Sequence, residues 1–132
     1  MTGAASGIGH AVALRLVADG IKNIALIDLS EDRLADVEAK IIELSSAVKV
    51  LKIGADCSKE EEVEAAVEKT VTTFGRLDTC FNGAGVAGKI TKTVETTPES
   101  LDTVLGVNLK GVWYCERAQI RQMLKQELRP LR

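Results

Sequence analysis

Apolar positions along the chain follow two rhythms in turn: a helical spacing of three and four residues, and short unbroken runs. Ile8, Val12 and Leu16 predict an amphipathic helix over residues 7–19, with Gly20 as its C-terminal stop. Residues 23–29 then carry Ile24, Ala25, Leu26 and Ile27 without polar alternation, the pattern of a strand covered by helices on both faces. The next helix is predicted by Ser30 as its cap, by Glu31 and Asp32 at the positive end of its dipole, and by the stripe Leu34, Val37, Ile41 and Leu44.

The rhythm then repeats. Residues 48–54 read as a strand, and Ser58 with Glu61 fits a capping box opening a helix that turns Val63, Ala66, Val67, Val71 and Phe74 inward and stops at Gly75. The acidic run from Glu60 to Glu62 reads as the solvated first turn of that helix. Residues 77–82 form a third strand that breaks into the loop Gly83-Ala84-Gly85, and Thr97 and Pro98 supply the N-cap and first position of a long helix. No Ser/Pro/Gly linker, internal repeat or low-complexity tract interrupts this alternation, which predicts one α/β domain over residues 1–132, built on a parallel sheet.

Composition excludes several classes. With 45% hydrophobic and 27% charged residues and a net charge of -2, the balance is that of an ordinary globular domain. No apolar run approaches the ~20 residues needed to span a bilayer, and no basic and apolar leader precedes the first glycines, so a cytoplasmic, reducing setting is expected. Cys57, Cys80 and Cys115 form neither a disulfide framework nor a paired zinc-ligand spacing, and His10 is the single histidine, so no metal site is expected. Cys80 and Cys115 read as small apolar fillers, and Trp113 and Tyr114 as packing residues or a partner-facing surface. Arg117, Arg121, Lys125 and Arg129 make a basic stripe without interleaved aromatics, a solvated helix face and not a nucleic-acid surface. Neither nucleic acid nor membrane is expected as a partner.

The chemistry begins at Thr2-Gly3-Ala4-Ala5-Ser6-Gly7-Ile8-Gly9, where a strand should hand over to a helix. Glycines at such a turn permit a tight bend, let backbone N–H groups approach a diphosphate, and let the helix pack closely on the sheet. The helix N-terminus attracts the phosphates. Asp28 follows Gly9 by 19 residues at the end of the next strand, where a carboxylate can accept both hydroxyls of an adenosine ribose.

Taken in order, Thr-Gly-x-x-x-Gly-Ile-Gly, Asp28, Asp56, Asn82-Gly83-Ala84-Gly85 and Asn108 resemble the short-chain dehydrogenase/reductase family over nearly the whole chain. The resemblance implies a Rossmann-like fold, a doubly wound parallel sheet with helices on both faces. It also implies that Gly3, Ser6, Gly7, Ile8 and Gly9 hold the cofactor phosphates, that Asp28 holds the ribose, and that Asp56 reads adenine with Cys57 supplying backbone contacts. The alternative for Asp56 is a loop aspartate capping a turn. Asn82, Gly83, Ala84 and Gly85 would lie against adenosine and ribose, departing from the family's Asn-Asn-Ala-Gly at Gly83.

Asn108 shares a helical stripe with Leu101, Val104, Leu105 and Val112, so it is expected as a buried amide in need of partners. The family resemblance makes it the catalytic asparagine that bends this helix and holds a water of the proton relay. Asp28 would repel a 2'-phosphate, and neither Ser6 nor Leu29 is basic, so NAD is favoured over NADP, with Arg33 keeping NADP open.

The family's catalytic serine, tyrosine and lysine have no match here. Tyr114, the one tyrosine, stands four residues before Ala118 and not before a lysine. Only Met1 precedes the Thr2-Gly3 loop, so a central strand is expected to be missing. Its neighbours would then stand about 9.6 Å apart, two strand spacings, a gap no backbone hydrogen bond crosses. The expectation is a partial domain of a dehydrogenase or reductase: marginally stable alone, without turnover of its own, and acting in the complete protein on a small alcohol or carbonyl.

Two other classes compete. One is a non-catalytic dinucleotide-binding or protein-interaction module, with a homo-oligomer contact through the helix at 109–126. The other is a methyl-transfer enzyme, which needs a similar loop and acid but fits the Thr2–Gly9 spacing and the Asn82 motif less well.

Overall fold

A computed structural model describes residues 1–128. In chain order it contains α1 (Gly7–Ala18), β1 (Asn23–Asp28), α2 (Glu31–Leu44), β2 (Lys49–Gly54), α3 (Glu60–Phe74), α4 (Pro98–Leu105) and α5 (Val112–Met123). A short 3-10 turn, Thr93–Glu95, precedes α4, and a π-helical segment, Gly106–Gly111, joins α4 to α5 into one helical rod. β1 and β2 pair in parallel over all six residues of each, from Asn23 opposite Lys49 to Asp28 opposite Gly54.

β1 is unbroken by polar residues because both its faces are covered. Ile24 and Leu26 enter a cluster with Ala13 and Val17 of α1 and Leu34, Val37 and Ile41 of α2. Ile27 faces the other way, packing with Ile53, Ala55 and Ala66 of α3. A third cluster, Cys57, Val63, Cys115 and Ala118, joins α3 to α5. The doubly wound arrangement expected from the sequence is therefore present.

Several local expectations change. The buried stripe of α1 is Gly9, Ala13 and Val17, while Ile8 is 78% exposed. Leu44 also lies exposed at the end of α2, and Thr70 joins Val63 and Ala66 in the buried row of α3, its hydroxyl donating to the Ala66 carbonyl. Ser58 does not cap α3: its hydroxyl donates to Asp56 Oδ1, and Glu62 reaches back to accept from the Asp56 N–H at 2.7 Å. Ser30 occupies the N-cap of α2 but makes no side-chain cap bond. At α4 the expectation holds, with Thr97 Oγ1 accepting from the Ser100 N–H and Pro98 at the first position.

The third strand is the largest departure. Residues 77–82 form no ladder and enter the sheet only through a bridge at Asn82. Thr2 bridges both Ile27 and Asn82 in parallel. Met1 N donates to the Ala25 carbonyl and Met1 O accepts from Ile27 N, while Thr2 N donates to Phe81 O and Thr2 O accepts from Gly83 N. Two residues thus span the gap that the sequence suggested no backbone bond could cross, but only at the loop end.

The basic stripe is not simply solvated. Arg117 pairs with Glu60 and Glu64 of α3 and lies 4.7 Å over the Trp113 ring, and Arg121 Nη1 lies 3.5 Å from Glu64. Arg129 falls outside the described residues. No helix among the described residues is long and apolar enough to cross a membrane.

Candidate cofactor site

The glycine loop folds as its residue types require. Gly3 adopts φ +67 and Gly7 φ +53, left-handed values that side chains resist. A Cβ on Gly9 would sit 1.9 Å from the Gly3 carbonyl oxygen, and one on Gly3 would sit 2.5 Å from the Gly83 carbonyl oxygen. These two glycines let α1, the loop and the 82–85 segment touch backbone to backbone. Ser6 takes the N-cap of α1 without capping it through its side chain, and Ser6, Gly7 and Ile8 are exposed. The first-turn N–H groups of α1 therefore face outward at the positive end of the helix, a donor set matched to a phosphate.

Asp28 closes one side of this cradle. Its Oδ2 accepts from the Ala5 N–H at 3.0 Å and its Oδ1 from the Ser30 N–H at 3.3 Å. The acid at the tip of β1 is thus tied directly to the glycine loop, with carboxylate lone pairs left over.

On the opposite side, Thr2 Oγ1 accepts from the Ala84 N–H at 3.3 Å. Asn82 does not project freely: its amide exchanges two hydrogen bonds with Gln119 of α5, at 3.0 and 2.7 Å. Asn108, expected to be buried, is exposed on the π-helical segment, yet it is satisfied: Oδ1 accepts from Val86 N at 2.8 Å and Nδ2 donates to Val86 O at 2.9 Å. Gly85 leaves room for this clamp, since its Cβ would come 3.3 Å from Asn108 Oδ1.

Asp56 makes the turn that the sequence left open, accepting from both the N–H and the hydroxyl of Ser58. These bonds hold its carboxyl below the usual aspartate range. Cys57 is buried, and a Cβ on Gly111 would meet its carbonyl oxygen at 2.8 Å, so the helical rod presses on this loop. Contact with the Cys57 thiol and burial push the Cys115 thiol up, keeping it neutral. Tyr114 packs against this cluster and against Trp113, at 5.5 Å between ring centroids. No metal-ligating group of three or more residues occurs among the described residues.

The fold therefore gathers Gly3, Gly7, Gly9 and Asp28 at one crevice, links Asn82–Gly85 to it through Thr2, and holds Asn108 against Val86. Gln119, Phe81 and Gly111 also shape this region, although no motif in the sequence marks them. Phe81 explains Gly83: its ring lies 2.3 Å from where a Gly83 Cβ would be. Helical spacing alone gave no reason to single out Gln119.

Comparison with known proteins matches this geometry. The family described as short chain dehydrogenase matches residues 1–128. Levodione reductase from Leifsonia aquatica is 42% identical over 113 residues, covering 86% of this chain and 42% of that protein. A crystal structure of levodione reductase superposes with a TM-score of 0.91 at 39% identity, covering 95% of this chain and 48% of that one. NAD+-bound xylitol dehydrogenase superposes at 0.88 with 34% identity, covering 95% and 47%. An alcohol dehydrogenase from the archaeon Thermococcus sibiricus, complexed with 5-hydroxy-NADP, superposes at 0.86 with 33% identity, covering 95% and 52%. The chain spans about half the length of the relatives it matches. Its fold is Rossmann-like, and with the glycine loop, Asp28 and the Asn82 segment all falling inside the matched span, the chain belongs to the short-chain dehydrogenase family.

Proposed function

We propose that this chain is the cofactor-binding portion of an oxidoreductase that moves a hydride between NAD(H) and an alcohol or carbonyl. The observation that carries the reading is the 3.0 Å bond from the Ala5 N–H to Asp28 Oδ2, which sets a ribose-binding acid beside the outward-facing first turn of α1. In this reading Gly3, Ser6, Gly7, Ile8 and Gly9 cradle the diphosphate, and Asp28 accepts the adenosine ribose hydroxyls. Asp56 keeps Oδ2 for the adenine amine, with Cys57 supplying backbone contact. Asn82, Gly83, Ala84 and Gly85 line the ribose side, and Asn108 fixes Val86 while its second Nδ2 hydrogen is left for a water of the proton relay. The nicotinamide supplies the hydride when bound; the protein contributes orientation and electrostatics.

NAD is favoured over NADP because the Asp28 carboxylate would face a 2'-phosphate, and the adjacent Leu29 offers no compensating charge. Arg33, exposed on the first turn of α2, is the one nearby group that would favour NADP. A cytoplasmic setting suits this cofactor. Tyr114, packed in the Cys57–Cys115 cluster, is not proposed as an acid or base.

NADH titrated against Trp113 fluorescence tests the reading, repeated with Asp28→Ala. Saturable quenching in the unaltered chain, weakened by Asp28→Ala, is expected. No saturable effect in folded protein would overturn it. A second reading, an interaction module or homo-oligomer contact, is favoured by Trp113, Ile120 and Leu124 of the helical rod and its end, which are 51%, 54% and 81% exposed. Concentration-dependent light scattering without NADH binding would support that alternative.

A further inference from the structure

The helical rod and the turn that follows it hold the 77–86 segment through amide side chains, each of which both donates and accepts. Gln126 accepts from Leu77 N and donates to Leu77 O, both at 2.8 Å. Gln119 exchanges two bonds with Asn82, and Asn108 exchanges two with Val86. Of the three, Gln119 is the buried one, at 7% exposure. A buried amide pair adds little to stability beyond what two apolar side chains of the same shape would add, but it imposes a geometry that they would not. Asn82, its partner, sits where the segment meets the glycine loop: it bridges Thr2, and the next two residues, Gly83 and Ala84, donate to Thr2 O and Thr2 Oγ1.

We propose that Gln119 is a positioning residue for the cofactor crevice: by fixing Asn82 in rotation and depth, it holds the 83–86 loop against Thr2 at the height a dinucleotide ribose requires. The inference rests on the cofactor reading above but reaches a residue that touches no ligand in it. α5 thereby sets one wall of a site whose other wall is set by β1. Met at 119 keeps length and burial while removing the amide. The exchanged pair, Asn82→Gln with Gln119→Asn, keeps the total length and the reciprocal bonding.

The test reads two quantities on the whole 132-residue chain: hydrogen exchange of the Gly83–Val86 amides, and the Kd for NAD+ by calorimetry. With Gln119→Met, exchange at 83–86 is expected to quicken about tenfold and NAD+ binding to weaken about tenfold, on the order of one lost hydrogen bond. Exchange along β1–β2 should stay unchanged, and the exchanged pair should restore the exchange at 83–86. Unchanged exchange at 83–86 in Gln119→Met would overturn the proposal, as would equal acceleration across the whole chain, the mark of a merely structural role. If Gln119→Met does not fold, the exchanged pair decides: folded protein with a loosened loop overturns the proposal, and wild-type exchange supports it. Should the unaltered chain fail to bind NAD+, the cofactor reading falls, while the exchange data still decide whether Gln119 fixes the loop.

Discussion

Residues 23–54 and residues 77–86 both contain extended chain, yet different forces hold them. In the first region six residues of β1 pair with six of β2 between helices, with Leu26 of β1 and Leu34 and Ile41 of α2 fully buried. In the second, one bridge at Asn82 and the amides of Gln119, Gln126 and Asn108 do the holding, and the flanking surface exposes Ile90, Val94 and Leu124 almost entirely. A ladder backed by a core is held by many contacts that reinforce one another, whereas an extended segment tied by side chains is only as well placed as the helix that carries them. The proposed cofactor crevice lies on the seam between the two regions.

The sharpest way to break this contrast is to remove matching side chains from each side. Leu34→Ala should cost about 2–5 kcal/mol in urea unfolding, because α2 cannot collapse into the hole. Leu124→Ala, at an 81% exposed position, should change stability by less than about 0.5 kcal/mol. Equal losses would show that the second region has a core of its own.

At the seam, Gly9→Ala should cost about 1–3 kcal/mol and abolish NADH quenching of Trp113, since its Cβ would overlap the Gly3 carbonyl, a backbone atom that cannot step aside. Gly83→Asn, which restores the family's usual residue, should cost less, about 1–2 kcal/mol, because the obstacle is the end of the Phe81 ring. Adding Phe81→Ala should remove most of that penalty in a double-mutant cycle; a penalty independent of Phe81 would refute this account of Gly83.

The smallest effect concerns Asp56. Hydrogen bonds from Ser58 depress its folded-state pKa, so its contribution to stability is present above the unfolded value of about 3.9 and is lost as pH falls through the lower folded one. Ser58→Ala should return the Asp56 carboxyl toward that unfolded value in an NMR titration and flatten the acid limb of stability. An unmoved titration would mean another donor sets it.

Much of this was readable from the residues because it depends on neighbours in sequence. Thr97-Pro98 caps its helix through bonds three residues long, the unbroken run in β1 implies two covered faces, and the spacing from Gly9 to Asp28 encodes one helix–turn–strand unit. Other features were hidden because they depend on distant partners. Periodicity gave α1 a stripe but not its direction: Gly9, Ala13 and Val17 turn inward because Gly9 must touch the Gly3 carbonyl, leaving Ile8 outside. Ser58 has the spacing of a cap, but Asp56 takes its hydroxyl first.

By itself, then, the sequence determined the order of helices and strands, the glycine loop and the acid that faces it, since each follows from local spacing and from backbone freedom only glycine has. Tertiary structure alone decided that Gln119 would hold Asn82 and that Phe81 would fill the space above Gly83. Those outcomes turn on which groups meet across the chain, as Asn82 and Gln119 do over 37 residues, and no local pattern records that.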